Sequence, residues 1–338
     1  MDAVDRTLLD RIQAGVPLVP QPFAALGGEL GLAEAELLRR LRSLAAEGVL
    51  RQISAIFDTA RLGYRSTLAA AVVAPERLPA AAEVIGAHPG VSHSYERDSA
   101  WNLWFTLAVP PDSRLGLETT AARLAARAGC ERLRLLPALR VFKIGVRLGM
   151  EEGGGPVREA SGAAFGRAVP AAGALAEPDR AIVRALQEPL ALVAEPFLGP
   201  AAASGVSVGD LLARAGDLLA SGAMRRFAGL LHHRRAGFTA NAMGVWAVPE
   251  ARIDAVGAAV ARFRAVSHCY QRPTYPDWPY SLFSMVHARS REECLGVLAA
   301  IAEETGVTEH AVLWTVREFK KVRLRCFTPE YEAWEAAA

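Results

Sequence analysis

A chain of 338 residues, 51% hydrophobic and 22% charged with a formal net charge of +2, has the composition of a globular protein with more than one core. The near balance of charge excludes a strongly cationic nucleic-acid coat and leaves room only for a local basic patch. No apolar run approaches the roughly 18 residues of a membrane span, MDAVDRTLLDRIQ carries no apolar signal stretch, and four cysteines without a CxxC pair read as reduced thiols of a cytoplasmic protein, with neither a zinc nor a disulfide framework.

In chain order, DRTLLDRIQAG places Leu8, Leu9 and Ile12 on one helical stripe. FAALGGELG is a second short helix, and LAEAELLRRLRSLAAEG a third that stops at a glycine. VLRQISAIFD follows as a strand pair or wing, which completes a winged helix-turn-helix. Then come TLAAAVVA (strand), PERLPAAAEVIGAH (helix), VSHSYERDS and WNLWFTLAV (paired strands), GLETTAARLAARA (helix) and RLRLLPALRVFKIG (strand). This βαββαβ order is the ferredoxin-like plan. MEEGGGPVREASGAAFGRAVPAAGALA, rich in Gly, Ala and Pro and without periodicity, reads as a flexible linker.

What lies beyond the linker repeats what lies before it. EGVLRQISAIFDTARLGY (47–64) aligns without a gap on SGAMRRFAGLLHHRRAGF (221–238), so that Gly48 meets Gly222, Arg51 meets Arg225 and Gly63 meets Gly237. VSHSYER (91–97) meets VSHCYQR (266–272), WNLWFTLA meets YSLFSMVH, and LRVFK (139–143) parallels VREFK (316–320). The expected fold is therefore α+β, a tandem duplication in which each unit is a winged helix-turn-helix followed by a ferredoxin-like βαββαβ domain. The boundaries follow: winged helices at 1–60 and 177–236, ferredoxin-like domains at 61–149 and 237–338, and a linker at 150–176.

A winged helix joined to βαββαβ resembles the Lrp/AsnC transcription regulators. RRFAGLLHHRRAGFTANAMGVWAVP (225–249), SHCYQRPTYPDWPYSLFSMVHAR (267–289) and EFKKVRLR (318–325) resemble, more specifically, the siroheme decarboxylases, Lrp-like enzymes of haem d1 and alternative haem biosynthesis. Two related subunits on one chain look like the fused D–L form of the haem d1 pathway. The resemblance implies a carboxy-lyase that removes the C12 and C18 acetate carboxyls of siroheme without oxidation, giving 12,18-didecarboxysiroheme. It implies no added cofactor, siroheme being the substrate, and a setting of denitrification in the cytoplasm. The chain is expected to work by itself, as a homo-oligomer or with related subunits.

Such a substrate is an iron macrocycle with eight carboxylates. It asks for fixed cations, broad apolar walls and a proton donor for the carbon that loses carbon dioxide. The second unit supplies most of the candidates. His232 and His233, with Arg234 and Arg235 beside them, lie just past the wing strand that opens with Arg225 and Arg226. His268, Tyr270 and Arg272 alternate and so share one strand face. His287 ends an apolar strand where the first unit has Ala108, so the fold itself does not require it. His232, His233, His268 and Tyr270 are the expected catalytic groups, each histidine standing either as proton donor or as axial iron ligand. The arginines just named, His287, Trp246 and Trp278 are expected to hold the substrate, Trp278 and Tyr275 either stacking on the ring or pinning the PTYPDWP loop. The first unit is expected to lend Arg51, Arg97 and Lys143. On the last strand, Arg317 shares a face with Phe319, and Lys320 shares the other with Glu318, as a carboxylate clamp or a salt bridge.

The competing reading is a regulator that senses a tetrapyrrole or an amino acid. Its first recognition helix has Arg39, Arg40 and Arg42, but the second has only Arg214 against Asp210 and Asp217. A pair of readers so unequal in cationic contacts is a poor DNA binder, and no specific DNA binding is expected.

Overall fold

The computed structural model describes residues 1–144, 175–231 and 240–337. The first unit runs α1 (Ala3–Ala14), α2 (Pro22–Leu30), α3 (Glu34–Ala46), β1 (Leu50–Phe57), β2 (Arg65–Val72), α4 (Leu78–Gly86), β3 (Val91–Arg97), β4 (Leu103–Val109), α5 (Gly116–Ala128), β5 (Arg132–Leu136) and β6 (Arg140–Ile144). The second runs α6 (Glu177–Leu186), α7 (Leu198–Ser204), α8 (Val208–Ala220), β7 (Met224–Leu231), β8 (Ala240–Trp246), α9 (Ile253–Ala261), β9 (Val266–Gln271), β10 (Leu282–Ala288), α10 (Arg291–Thr305) and β11 (His310–Lys321), with α11 (Pro329–Ala336) after it. The duplicated α+β order is the expected one.

Local chemistry explains the helix ends. Asp2 and Asp5 form a reciprocal capping box at the start of α1, whose buried face carries Leu8, Leu9 and Ile12. After α3 the chain must turn through a left-handed residue, and Gly48, at φ +67°, supplies it.

The units do not stand apart. Among the described residues no hairpin wing forms within either one: β1 pairs antiparallel with β7, one strand from each unit. The six helices of the two winged-helix parts and this ribbon share one apolar core, from Leu8 and Phe23 to Phe197 and Phe227. The last strands are exchanged as well. Pro137 has no N–H to give a ladder and splits the final segment of the first unit into β5, which stays with β2, and β6, which crosses to β9 of the second unit. The second unit has no proline there, and β11 runs unbroken, its first half on β8 and its second half on β3.

The resulting order is β5-β2-β4-β3-β11-β8-β10-β9-β6. Its end strands β5 and β6 are joined by only Pro137, Ala138 and Leu139, so the sheet folds back on itself as two facing halves. Helices cover the outside of each half, as two separate cores record. Between the halves lies a fourth, smaller core of Trp101, Trp104, Leu136, Met243, Val245, Trp278, Phe283 and Leu313.

Candidate active site

Strand alternation decides what faces the space between the two halves. Cys269 lies in the helix-side core, so His268 and Tyr270 face inward. On β3 the matching residues are His93, Tyr95 and Arg97, and on β10 they are Phe283, Met285 and His287. The interior is layered. The tryptophan-rich core closes one end, with Trp104 and Trp278 ring centroids 5.4 Å apart. Next come Arg97 and Arg272, then Tyr95 and Tyr270, then the histidines, at the end toward the β1–β7 ribbon. The His93–Tyr95 and His268–Tyr270 ring centroids are 6.2 and 6.0 Å apart, the spacing of next-but-one residues on a strand.

Each unit builds its histidine the same way. The Nδ1 of His93 lies 2.9 Å from Ser92 Oγ, and the Nδ1 of His268 lies 2.8 Å from Ser267 Oγ. The Ser267 hydroxyl donates to the Met285 carbonyl oxygen (3.3 Å). With its proton directed at Met285, the Ser267 hydroxyl is placed to accept from the Nδ1–H tautomer of His268, in which Nε2 is the acceptor nitrogen. Burial, reinforced by the charges of His287, Arg272 and His93, pulls the His268 pKa down to about 4. Burial also lowers His93 and His287, and the Lys321 ammonium adds to it in both. These imidazoles are neutral at neutral pH. Burial raises both phenols, Tyr95 to about 12, so both stay protonated.

Several residues expected at the site do other work. Arg97 donates to Thr315 Oγ1 (2.7 Å) and the Leu313 carbonyl (3.3 Å) of β11, while Arg272 donates to the Leu136 carbonyl of β5. Leu136 and Leu313 are equivalent positions, so each arginine ties its own unit to the last strand of the other. Both lie against their tyrosine rings, and burial lowers both to about 10. Lys143 and Lys320 repeat the pattern on the outer face. Lys143 Nζ donates to Phe263 O (2.9 Å) beyond α9, and Lys320 Nζ to Gly86 O (2.5 Å) at the end of α4.

The simple alternation expected around Arg317 and Lys320 fails because β11 bulges between Glu318 and Lys320. Phe319 and Lys320 both reach the helix layer of the first unit, and Arg317 pairs with Glu96 at 3.6 Å. Trp246 also faces away from the site. It is fully buried against the second unit's helices, donating to Ser284 Oγ. His310, which reads as a surface loop residue, opens β11 and stacks on Trp246 at 4.7 Å.

Of the two options for the PTYPDWP loop, pinning is the one built. Tyr275 and Trp278 exchange backbone hydrogen bonds, Tyr275 donates to Leu135 O (2.6 Å), and Trp278 is buried in the inter-sheet core. Arg51 and Arg226 are exposed on the ribbon. Arg225 is exposed too, held by Asp58 at 2.9 Å, and its charge reaches the Tyr270 phenol. His232, His233, Arg234 and Arg235 lie outside the described residues.

What remains is His93, His268, His287, Tyr95 and Tyr270, with Arg225 nearby and two residues that sequence reasoning passed over. Glu318 and Lys321 of β11 sit opposite Tyr95 and His93 on the inward face. The signal was present: Lys321 matches Ile144 by the same alignment that set His287 against Ala108. A separate apolar cavity of about 190 Å³, lined by Pro20, Phe197, Leu198 and Val208, lies among the helices of the winged-helix parts. It is too small for a macrocycle and far from these groups.

Comparison with known proteins covers both units of this fold. Residues 61–143 and 235–320 match an AsnC-like ligand binding domain, and residues 5–51 match the siroheme decarboxylase NirDL-like HTH domain. The chain is 40% identical over 327 residues to the siroheme decarboxylase of Hydrogenobacter thermophilus, covering 97% of this chain and 96% of that one. It is 38% identical to the siroheme decarboxylase NirDL subunit of Paracoccus denitrificans, over 95% of this chain and 96% of the relative. The crystal structure of the siroheme decarboxylase NirDL in complex with an iron-uroporphyrin III analogue superposes with a TM-score of 0.78 at 36% identity, covering 98% and 97% of the two chains.

Proposed function

The chain belongs to the siroheme decarboxylase family in its fused two-unit form, and from that footing we propose that it removes the C12 and C18 acetate carboxyls of siroheme at the histidine end of the inter-sheet space. The observation that carries the placement is the convergence of three half-buried, neutral imidazoles from both units above an apolar core. The iron-uroporphyrin analogue bound by the solved relative is a polycarboxylate macrocycle of the same class and supports this ligand type.

The electrostatics suit the chemistry. Before substrate arrives, burial and neighbouring cations keep the imidazoles unprotonated. Carboxylates brought alongside reverse the sign of the local field and draw a proton onto His268 Nε2. In each decarboxylation the bond between the acetate methylene and its carboxyl carbon breaks and carbon dioxide leaves. The electron pair, spread into the macrocycle, is then quenched at the methylene carbon by the imidazolium proton, giving a methyl group. The imidazole regains its proton from water for the second round. Tyr270, kept as a phenol, orients the ring edge by donating a hydrogen bond. The macrocycle is its own electron sink, so no resident cofactor is needed. Arg225 at the ribbon is a cation for carboxylates that stay.

Against the regulator reading, the described cations of the first recognition helix are already engaged. Arg39 is held by Glu36 at 2.7 Å, Arg40 by Asp2 and Asp5 at 2.8 Å, and Arg42 by the Leu192 carbonyl at 2.7 Å. Anaerobic incubation of the protein with siroheme, followed by mass analysis, tests the proposal. The expected product is lighter by two carbon dioxides. Tight binding with an unchanged ligand mass would make the protein a sensor or scaffold instead.

A further inference from the structure

The two units present almost the same inward face, and the exceptions gather at the histidine end. Four equivalent pairs differ there: Thr106 against Met285, Ala108 against His287, Val141 against Glu318, and Ile144 against Lys321. The last two pairs sit on the exchanged strands. Ile144 lies in register with His268, and Lys321 in register with His93. Directly paired residues of neighbouring strands share a face, their Cβ atoms roughly 5 Å apart. One imidazole therefore has a sec-butyl neighbour where its twin has an ammonium.

We propose that Lys321 binds a carboxylate that the substrate keeps, and so decides which edge of the macrocycle meets the second unit's imidazoles. Resting on the functional reading above, this adds the group that sets orientation. A cleft with two matching halves offers a flat, nearly symmetric polyanion two poses of equal energy; a cation on one side alone removes the degeneracy. Lys321 suits that role. Its ion pair with Glu318 is long, at 3.7 Å, and exposed, so it gives up little to take a new partner. Its charge already acts on both His93 and His287, which come from different units. An anion bound there bridges the two halves.

The test uses the full chain and the substitutions Lys321→Met and Lys321→Arg. Iron uroporphyrin III is the binding probe, read by its absorbance change, and siroheme is the substrate, with singly and doubly decarboxylated products separated by mass and their positions assigned by NMR. Lys321→Met is expected to weaken probe binding about tenfold, the weight of one charge-assisted hydrogen bond, and to let a second mono-decarboxylated isomer accumulate. Lys321→Arg is expected to restore both. NMR titration gives a readout that a purely structural role would not move: loss of the ammonium is expected to raise the pKa of His93, which otherwise faces Glu318, and of His287, which otherwise faces His268. Unchanged probe affinity and an unchanged isomer pattern in Lys321→Met overturn the proposal while leaving the functional reading intact. Wild-type protein that binds the probe but leaves siroheme unaltered removes the functional reading and the isomer argument with it.

Discussion

The two halves of the folded sheet descend from one plan and are used differently. The positions that match between them hold the molecule together. Arg97 and Arg272 make cross-unit bonds to the equivalent carbonyls of Leu313 and Leu136, and Lys143 and Lys320 to those of Phe263 and His88. The positions that differ cluster at the open end: His287, Glu318 and Lys321 in the second unit against Ala108, Val141 and Ile144 in the first. Duplication lets one copy keep a structural contact while its twin changes, and here the contacts that need both copies are those that have stayed alike. A matched residue in this chain thus mostly serves assembly and a mismatched one chemistry, with the layer of His93 and His268, Tyr95 and Tyr270, beside Arg225, all alike in both units, as the exception at the site.

That exception gives the largest effect. His268→Ala and His287→Ala are each expected to lower kcat/KM for siroheme by about 100-fold or more, the weight of a lost general acid, whereas His93→Ala is expected to lower it by less than about tenfold. Thermal unfolding should be unchanged in all three. Equal losses at His93 and His268 would mean that both halves act on substrate and would break the comparison. The matched arginines come next. Arg272→Met and Arg97→Met are each expected to cost about 2 kcal/mol of stability, because each removes a charged donor from buried carbonyls, measured by denaturant unfolding at constant m-value. An arginine whose loss changes turnover and not stability would belong to the site instead.

The smallest effect sharpens the comparison outside the site. His88 is buried in the helix layer of the first unit, against Tyr331 and Trp334 of α11, where the second unit has Phe263. Burial, with the nearby Lys320 charge, takes its pKa down to about 3. The unfolded chain binds this proton near pH 6.5 and the folded one does not, so the contribution is complete above pH 6.5 and lost as pH falls toward 3. His88→Phe is expected to flatten that slope in unfolding curves taken between pH 7 and 4.

How far the sequence reached depended on the kind of interaction. Helices set by periodicity and stopped by glycine, such as α1 and α3, lie where their patterns put them, and the βαββαβ order is legible twice because alternation and turn residues are local. The common face of His268 and Tyr270 was legible too, by alternation. Trp246 falls in a core instead of the site, and Trp278 stays between two roles in the sequence, because an aromatic residue reads the same whether it lines a pocket or fills a core. Lys320 was misplaced by the bulge in β11, a one-residue slip that inverts every later side chain. Lys321 escaped notice for the same reason.

The sequence by itself determined the duplication, the order of elements in each copy and the residues available for chemistry, all of which rest on contacts between near neighbours along the chain. Only the tertiary structure decided that the wing strands pair with each other, that β6 and β11 cross between units, and that imidazoles from both copies meet at one end of one interior. Strand exchange leaves almost no local signature beyond a proline at 137. The backbone bonds formed are the same in kind whichever partner is taken, and the choice between partners is made by the packing of whole faces.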